Sequence, residues 1–322
     1  MKISFVIPVY NASAYLPQLI ESLQIQEYKE WEALFTDDGS NDGSVNILKT
    51  AAENDGRIRL FEIAHEGSSG ARNKGLENAT GDIIGFIDAD DFIHPQLLET
   101  VMPCFADATI DAVMFDFVPV EVGSAPPFEN VIQLPTKTVI SNPIQWALEP
   151  WNPTAHGVWR TFYRRNVIGE LKFYPKIKHQ DLLFSYQVWG SVRKMVKLEC
   201  VLYAYVQTPD SVIRSAYGAD KIDANFIIMR ELLRFYKNQL EIVRNLRKNL
   251  FPRMLKNVIK QVGKDCSAQS GVLSRHLAIR VYEAKRDNVI RIRWKPFRLS
   301  LKLGFLAIRG CCMVRHMKGC RK

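Results

Sequence analysis

Three aspartates within four residues, Asp88, Asp90 and Asp91, carry the clearest chemical signal in the chain. They follow the apolar run Ile83-Ile84-Gly85-Phe86-Ile87 inside Gly81–Pro95, GDIIGFIDADDFIHP, which reads as a strand covered on both faces. A bare carboxylate in a dry site is strongly disfavoured, so the three must be solvated, protonated or facing a cation. Asp88 and Asp90 flank Ala89, and residues two apart in an extended segment point to one side. Two carboxylates on one side make a hard-oxygen site for Mg²⁺ or Mn²⁺, which takes its remaining ligands from water and substrate phosphates. An acidic turn leading into a helix near Pro95 accounts for the same residues, and D-x-D spacing alone does not separate the two.

The elements that would hold these residues decide between them. Lys2–Val9, Trp31–Thr36 and Ile58–Ile63 read as strands. Helices are predicted over Ser13–Gln26, capped by Asn11 or Ser13, then over Asp42–Asn54 and Ala71–Asn78, the last led in by Gly67-Ser68-Ser69-Gly70. Strands alternating with helices through short loops give βαβ units and a mostly parallel sheet. Ligands of such sheets bind outside the carboxyl ends of the strands. Pro8–Tyr10, Asp37-Asp38 and Asp88–Asp90 each follow a predicted strand and so share that edge. Three polar clusters on one edge favour a nucleotide and metal site over an acidic turn.

Beyond Pro95 a helix is expected to Phe105, a strand over Ala112–Val118 and an excursion over Gly123–Pro135. Ile144–Tyr163 is rich in aromatics, among them Trp146, Trp151, Trp159, Phe162 and Tyr163. These serve either as core packing or as a wall on which an acceptor sugar stacks. His179-Gln180-Asp181 opens an apolar helix, where Asp181 in the first turn suits the helix dipole. Leu198–Val206 is a further strand, and a loop with Ser211, Arg214 and Ser215 follows.

With 322 residues, 47% hydrophobic and 24% charged, the chain suits one large α/β domain with an appendage, or two domains. A formal charge of +9 points to an anionic partner without choosing one. No secretory leader or bilayer-spanning apolar run is evident. The six cysteines, Cys104, Cys200, Cys266, Cys311, Cys312 and Cys320, have neither zinc-site nor disulfide-framework spacing, which fits a reducing cytosol. From Asp220 the chain is mainly helical. Lys285–Lys322 interleaves Lys and Arg with Trp294, Phe297, Leu299, Leu301, Leu303, Phe305, Leu306 and Ile308 and contains one acid, Asp287. Such a basic amphipathic stretch reads as a peripheral membrane anchor on an anionic leaflet. Nucleic acid is the disfavoured competitor, since no helix-turn-helix, RNP or zinc-finger pattern accompanies the charge.

VIPVYN at Val6–Asn11, DDGSNDGS at Asp37–Ser44, GSSGARNKG at Gly67–Gly75 and GFIDADD at Gly85–Asp91 together resemble the family 2 inverting glycosyltransferases of bacterial surface-polysaccharide and lipopolysaccharide type. The HQD at His179–Asp181 resembles that family's E-D motif with Gln in place of Glu. The resemblance implies an α/β GT-A (Rossmann-like) fold over residues 1–218. Residues 1–118 would form the nucleotide-sugar half, 119–218 the acceptor and catalytic half, and 219–322 a helical basic C-terminal region. It further implies that Pro8 and Tyr10 line the base pocket, with Tyr10 stacking on a pyrimidine, and that Asp38 accepts a hydrogen bond from the base. Asp88 would lie near the ribose and metal, Asp90 would ligate Mg²⁺ or Mn²⁺, and Asp181 would be the catalytic base. The loop with Ser211 and Arg214 resembles the segment covering the diphosphate. Arg72 and Lys74 either meet that diphosphate or lie on the helix surface.

The activity implied is metal-dependent transfer of a sugar from a nucleoside-diphosphate donor, by family habit a UDP-sugar, to a hydroxyl of a glycan or lipid-linked acceptor at the inner face of the cell membrane. Two competitors are a sugar-nucleotide pyrophosphorylase and a basic membrane- or nucleic-acid-binding protein with a degenerate transferase domain. The first should carry a glycine-rich basic loop after the first strand, where Tyr10-Asn11-Ala12-Ser13 stands instead. The second is opposed by the full set Asp38, Asp88, Asp90 and Asp181.

Overall fold

The computed structural model describes residues 1–124, 128, 135–149, 157–208, 216–264 and 270–290. These fall into two compact units, one holding the described residues up to 147 together with 157–176 and 180–208, the other 148–149, 177–179 and the described residues from 216.

The first unit begins with β1 (Ile3–Val9), α1 (Leu16–Gln24), β2 (Trp31–Asp37), α2 (Ser44–Asn54), β3 (Ile58–Glu62), α3 (Gly67–Asn78) and β4 (Ile83–Phe86). It continues through β5 (Phe92–Ile93), α4 (Leu97–Val101), β6 (Ala112–Val120), β7 (Lys137–Ile140), α5 (Pro143–Leu148), β8 (Thr161–Arg164), α6 (Arg165–Ile168), α7 (Gln180–Trp189) and β9 (Met195–Val206). The nine strands form one sheet in the order β3-β2-β1-β4-β8-β6-β9-β5, with β7 paired to β9. The sheet has two characters. β3, β2, β1 and β4 are all parallel, as the βαβ pattern predicts. Beyond β4 the pairing is mixed: β8 runs antiparallel to both β4 and β6, and β9 is parallel to β6 but antiparallel to β5 and β7. The expectation of a mostly parallel sheet thus holds for the first half alone.

β1 shows how the layers form. Ile3, Phe5, Ile7 and Val9 are buried in the cluster that includes Leu16, Leu19 and Leu23 of α1. Val6, on the other face, lies against α3, and a Cβ on Gly75 would come within 2.6 Å of its Cγ1. Glycine there is what allows helix and strand to approach so closely. Farther along that face Phe86, Phe173 and Phe184 pack together, the last two stacked at 3.9 Å.

Several local expectations need correction. Neither Asn11 nor Ser13 caps α1: its N-cap is Tyr15, without a side-chain bond, and a proline opens the helix. Proline has no N–H to leave unsatisfied, which lessens the need for a cap. Asn11 instead sits at φ 48° and its Oδ1 accepts from the Asn41 N–H, while the Ser13 N–H donates to Asp42. α3 starts at Gly67, four residues earlier than Ala71. The helix after Pro95 is only α4, and Met102–Ala106, with Pro103 near its start, tightens into a 3₁₀ turn.

The aromatic stretch resolves into packing where it is described. Trp159 stacks on Tyr203 and Tyr205 at 4.8 and 5.6 Å, Trp146 meets Trp189 edge-on, and Phe162 and Tyr163 are buried in β8. Trp151 lies outside the described residues, as do parts of Gly123–Pro135.

The second unit contains α8 (Ala219–Phe235), α9 (Leu240–Asn245), α10 (Phe251–Lys264) and α11 (Ser270–Arg286). α8 and α11 are clasped by Asp223, which accepts from His276 Nε2 at 2.7 Å and Arg280 Nε at 2.6 Å. α10 buries Phe251, Met254, Leu255, Val258 and Val262 and leaves Lys256 and Lys260 exposed, an amphipathic arrangement. The most basic part of the tail, residues 291–322, lies outside the described residues. Among the described residues no helix is long and apolar enough to cross a membrane.

Candidate active site

The carboxyl ends of β1, β2 and β4 bring the polar clusters to one edge. The Asp38 N–H donates to Val9 O at 2.8 Å, joining the ends of β1 and β2, and the Asn11 N–H donates to Ser40 Oγ. Asp38 is buried, and its two carboxylate oxygens accept the backbone N–H groups of Glu66 and Gly67 at 2.6 and 2.9 Å. An acidic group at a helix N-terminus satisfies orphan donors and matches the dipole, which explains why α3 begins early. Each oxygen retains a second lone pair, so this anchoring role leaves Asp38 capacity for a further donor.

Tyr10 is 52% exposed, with its ring against that of His65 at 4.8 Å and 44°. His65 Nδ1 lies 2.9 Å from the Asp38 carbonyl oxygen and 3.1 Å from its Oδ2. Residue-type reasoning passed over His65; its only sequence signal is its place two residues before Gly67. Pro8 is half-buried near the end of β1, opposite Thr36.

β4 leads into the turn Asp88–Asp91, closed by the Asp91 N–H donating to Asp88 O at 3.1 Å. Arg72, in the second turn of α3, places its guanidinium 2.6 Å from Asp88 Oδ1 and 5.3 Å from the Phe173 ring. It is buried, so the helix-surface alternative is excluded for Arg72, whereas Lys74 is half-buried near the Phe61 ring. Asp90 behaves differently from its neighbour. Burial, reinforced by the charge of Asp88, raises its pKa to about 6, and a 3.3 Å contact from Thr208 Oγ1 is too weak to reverse this. Asp91 turns into the core, where it accepts from Tyr203 Oη at 2.6 Å and the Val206 N–H at 2.7 Å. Burial holds its pKa well above the ordinary carboxylate value. The three aspartates thus differ: Asp88 is ion-paired with Arg72, Asp90 is held toward its protonated form by burial and the Asp88 charge, and Asp91 is bonded within the core.

A divalent cation fits this donor set. Asp88 and Asp90 supply hard oxygens, and a cation would offset both the burial and the Asp88 charge that raise Asp90. Among the described residues no cluster of three or more His, Cys, Asp or Glu forms an all-protein cage, so phosphate and water would complete the shell.

Asp181 lies in the first turn of α7, half-exposed. Its neighbour Gln180 donates through Nε2 to Ser68 Oγ at 2.8 Å. Ser68 and Arg72 are four apart on α3 and therefore share a face about one turn apart. The start of α7 and the Asp88 turn thus attach to neighbouring positions of one helix. The Gln standing where the resemblance expects Glu is what makes this attachment. Arg214 and Ser211 lie outside the described residues.

Comparison with known proteins identifies the family and the fold. Residues 4–171 match glycosyl transferase family 2. The chain is 34% identical over 219 residues to the glycosyltransferase YibD of Escherichia coli, covering 66% of this chain and 63% of that protein. It is 28% identical over 224 residues to EpsJ of Bacillus subtilis, covering 67% and 64%. The match therefore spans just under two thirds of either relative's length. Among solved structures, Staphylococcus aureus TarS 1-349 in complex with UDP-GlcNAc superposes with a TM-score of 0.64 at 18% identity over 90% of this chain and 88% of that one. The Pyrobaculum calidifontis mannosyltransferase PcManGT, in complex with GDP-Man and Mn²⁺, gives 0.53 at 16% identity over 97% and 86%. At such identities the likeness establishes the shared GT-A fold. With the family match covering more than half of its 322 residues, the chain belongs to glycosyl transferase family 2.

Proposed function

We propose that the protein is an inverting, metal-dependent glycosyltransferase that moves a sugar from a nucleoside-diphosphate donor to a hydroxyl of a glycan or lipid-linked acceptor in cell-surface polysaccharide synthesis. The observation that carries this reading is Asp90, an aspartate raised to about 6 by burial and by Asp88 at the ligand-binding edge of the sheet. Residues 1–118 serve as the donor half and 119–218 as the acceptor half.

Tyr10 and Pro8 flank the base, and Asp38 takes a hydrogen bond from it. Arg72 fixes Asp88 toward the ribose. Asp90 and Asp88 would hold a divalent cation, which when bound would supply Lewis-acid stabilisation of charge on the leaving diphosphate. Asp181 takes the proton of the acceptor hydroxyl as its oxygen attacks the anomeric carbon. The bond from that carbon to the diphosphate oxygen breaks, and its electron pair leaves with the nucleoside diphosphate. One displacement inverts the anomeric configuration and needs no covalent intermediate, so no nucleophilic Ser or Cys is required. A uridine donor is supported by TarS with UDP-GlcNAc, while PcManGT with GDP-Man makes guanosine the alternative. The basic region beyond Lys285 would hold the enzyme against an anionic membrane face, where a lipid-linked acceptor resides.

The test is release of nucleoside diphosphate from UDP-, GDP- and TDP-sugars, with and without Mn²⁺. Metal-dependent turnover of one donor is expected. No turnover, together with no thermal stabilisation by nucleotide plus metal, would overturn the reading.

A further inference from the structure

The donor-site reading uses Asp88 and Asp90 and leaves Asp91 with nothing to do, although it is the most deeply buried of the three. Its surroundings give it a role. Tyr203 Oη donates to Asp91 Oδ2 at 2.6 Å, and the same oxygen accepts the Asp88 N–H at 3.2 Å. A phenol hydroxyl has one proton and spare lone pairs, so it can hold both bonds at once. One atom of β9 therefore joins the two ends of the Asp88–Asp91 turn. The second Asp91 oxygen is taken by the Val206 N–H, also on β9.

Tyr203 is itself held still. It is fully buried, stacks on Trp159 at 4.8 Å, and sits opposite Ile93 in the β5–β9 register. The strand entering the turn, β4, is not paired to β9, whereas β5 leaving it is. The Asp88 side of the turn thus gains through the hydroxyl a link to β9 that the sheet does not provide.

Resting on the donor-site reading, we propose that Tyr203 is a positioning residue for metal and donor binding. Through Asp91 and the Asp88 backbone, its hydroxyl sets the turn that presents the Asp88 and Asp90 carboxylates together. Asp91 is kept as the acceptor that orients this hydroxyl, which leaves the Tyr203 lone pairs facing the Asp88 N–H.

The experiment measures Mn²⁺ affinity by electron paramagnetic resonance on the full chain, with UDP or GDP present, whichever the wild-type protein binds. Tyr203→Phe keeps the ring and removes the hydroxyl. Phe115→Leu, a buried change in the neighbouring β6, serves as the control for lost stability. Tyr203→Phe should bind Mn²⁺ about tenfold more weakly, as loss of a group that orients a metal ligand does. Phe115→Leu should keep wild-type affinity despite a lower Tm. Asp91→Ala, which removes the hydroxyl's acceptor, should repeat the loss if Tyr203→Phe folds poorly. Wild-type Mn²⁺ affinity in Tyr203→Phe, or an equal loss in Phe115→Leu, would overturn the inference while leaving the donor site standing. Failure of the wild-type protein to bind Mn²⁺ with either nucleotide would overturn both.

Discussion

The two ends of the parallel half-sheet each bury a carboxylate, and they treat it in opposite ways. At the amino end, Glu32 of β2 is 4% exposed and receives Ser4 Oγ at 2.6 Å, the Thr80 N–H and Oγ1 at 2.8 Å, and Lys2 Nζ at 2.9 Å. Burial alone would raise its pKa, but these bonds outweigh it and bring it to about 2. At the carboxyl end, Asp90 has burial and a like charge working together, and its pKa rises to about 6. The first carboxylate is finished by the protein. Among the described residues the second is left incomplete, and that unspent capacity for positive charge is what a cation-binding site requires.

The sharpest test of the contrast is catalytic. Asp181→Asn should lower transfer by about 10²–10⁴-fold, the range for a lost general base, while donor binding measured by calorimetry is retained. Unchanged transfer would remove Asp181 from the mechanism. Next, Asp90→Asn should abolish metal-stimulated transfer yet hold or raise Tm, because it deletes a charge that the fold repels. Glu32→Gln should do the reverse, lowering stability by about 2 kcal/mol through the loss of charge-assisted bonds and leaving transfer per folded molecule intact. Denaturant unfolding beside an activity assay separates the pair; a loss of activity in Glu32→Gln at full folding would erase the contrast.

The pH dependence sharpens it further. Between the ordinary value of 3.8 and about 6, folded Asp90 holds a proton more tightly than the unfolded chain does. Its stabilising contribution is therefore complete below that window and fades as pH rises through it, by about 3 kcal/mol for a shift of this size. Glu32 has the opposite sign: its contribution is present above its ordinary value of 4.5 and is lost as pH falls toward about 2. Tm measured from pH 3 to 8 should show the Asp90 slope in the wild type and lose it in Asp90→Asn. Added Mn²⁺ should also flatten it by favouring the ionised form. Coincident curves for wild type and Asp90→Asn would contradict the assignment. The smallest effect concerns the helix that links the two ends. Gly67 opens α3 at φ +80°, so Gly67→Ala should cost about 1 kcal/mol by denaturant titration.

The parallel half was legible because its signals are local. Apolar strands such as Ile3–Val9 and polar residues after each of them are printed side by side in the chain. β8 and β9 were less so. Their insertion, with its antiparallel pairings, depends on contacts about 50 to 110 residues apart, such as Ile83 with Arg164, which no periodicity encodes. For the same reason the α1 cap was misplaced: Asn11 and Ser13 found partners in Asn41 and Asp42, thirty residues away, rather than in the helix they precede.

Sequence alone determined the βαβ plan, the edge on which the candidate site lies, and the identity of Asp38, Asp88, Asp90 and Asp181 as candidates, because alternation, turn chemistry and carboxylate spacing are properties of neighbours along the chain. It could not assign different jobs to adjacent aspartates. Only the tertiary structure gave Asp88 to Arg72, Asp91 to Tyr203 and Asp90 to neither, since a carboxylate's charge state is decided by burial and by donors brought from distant strands and helices.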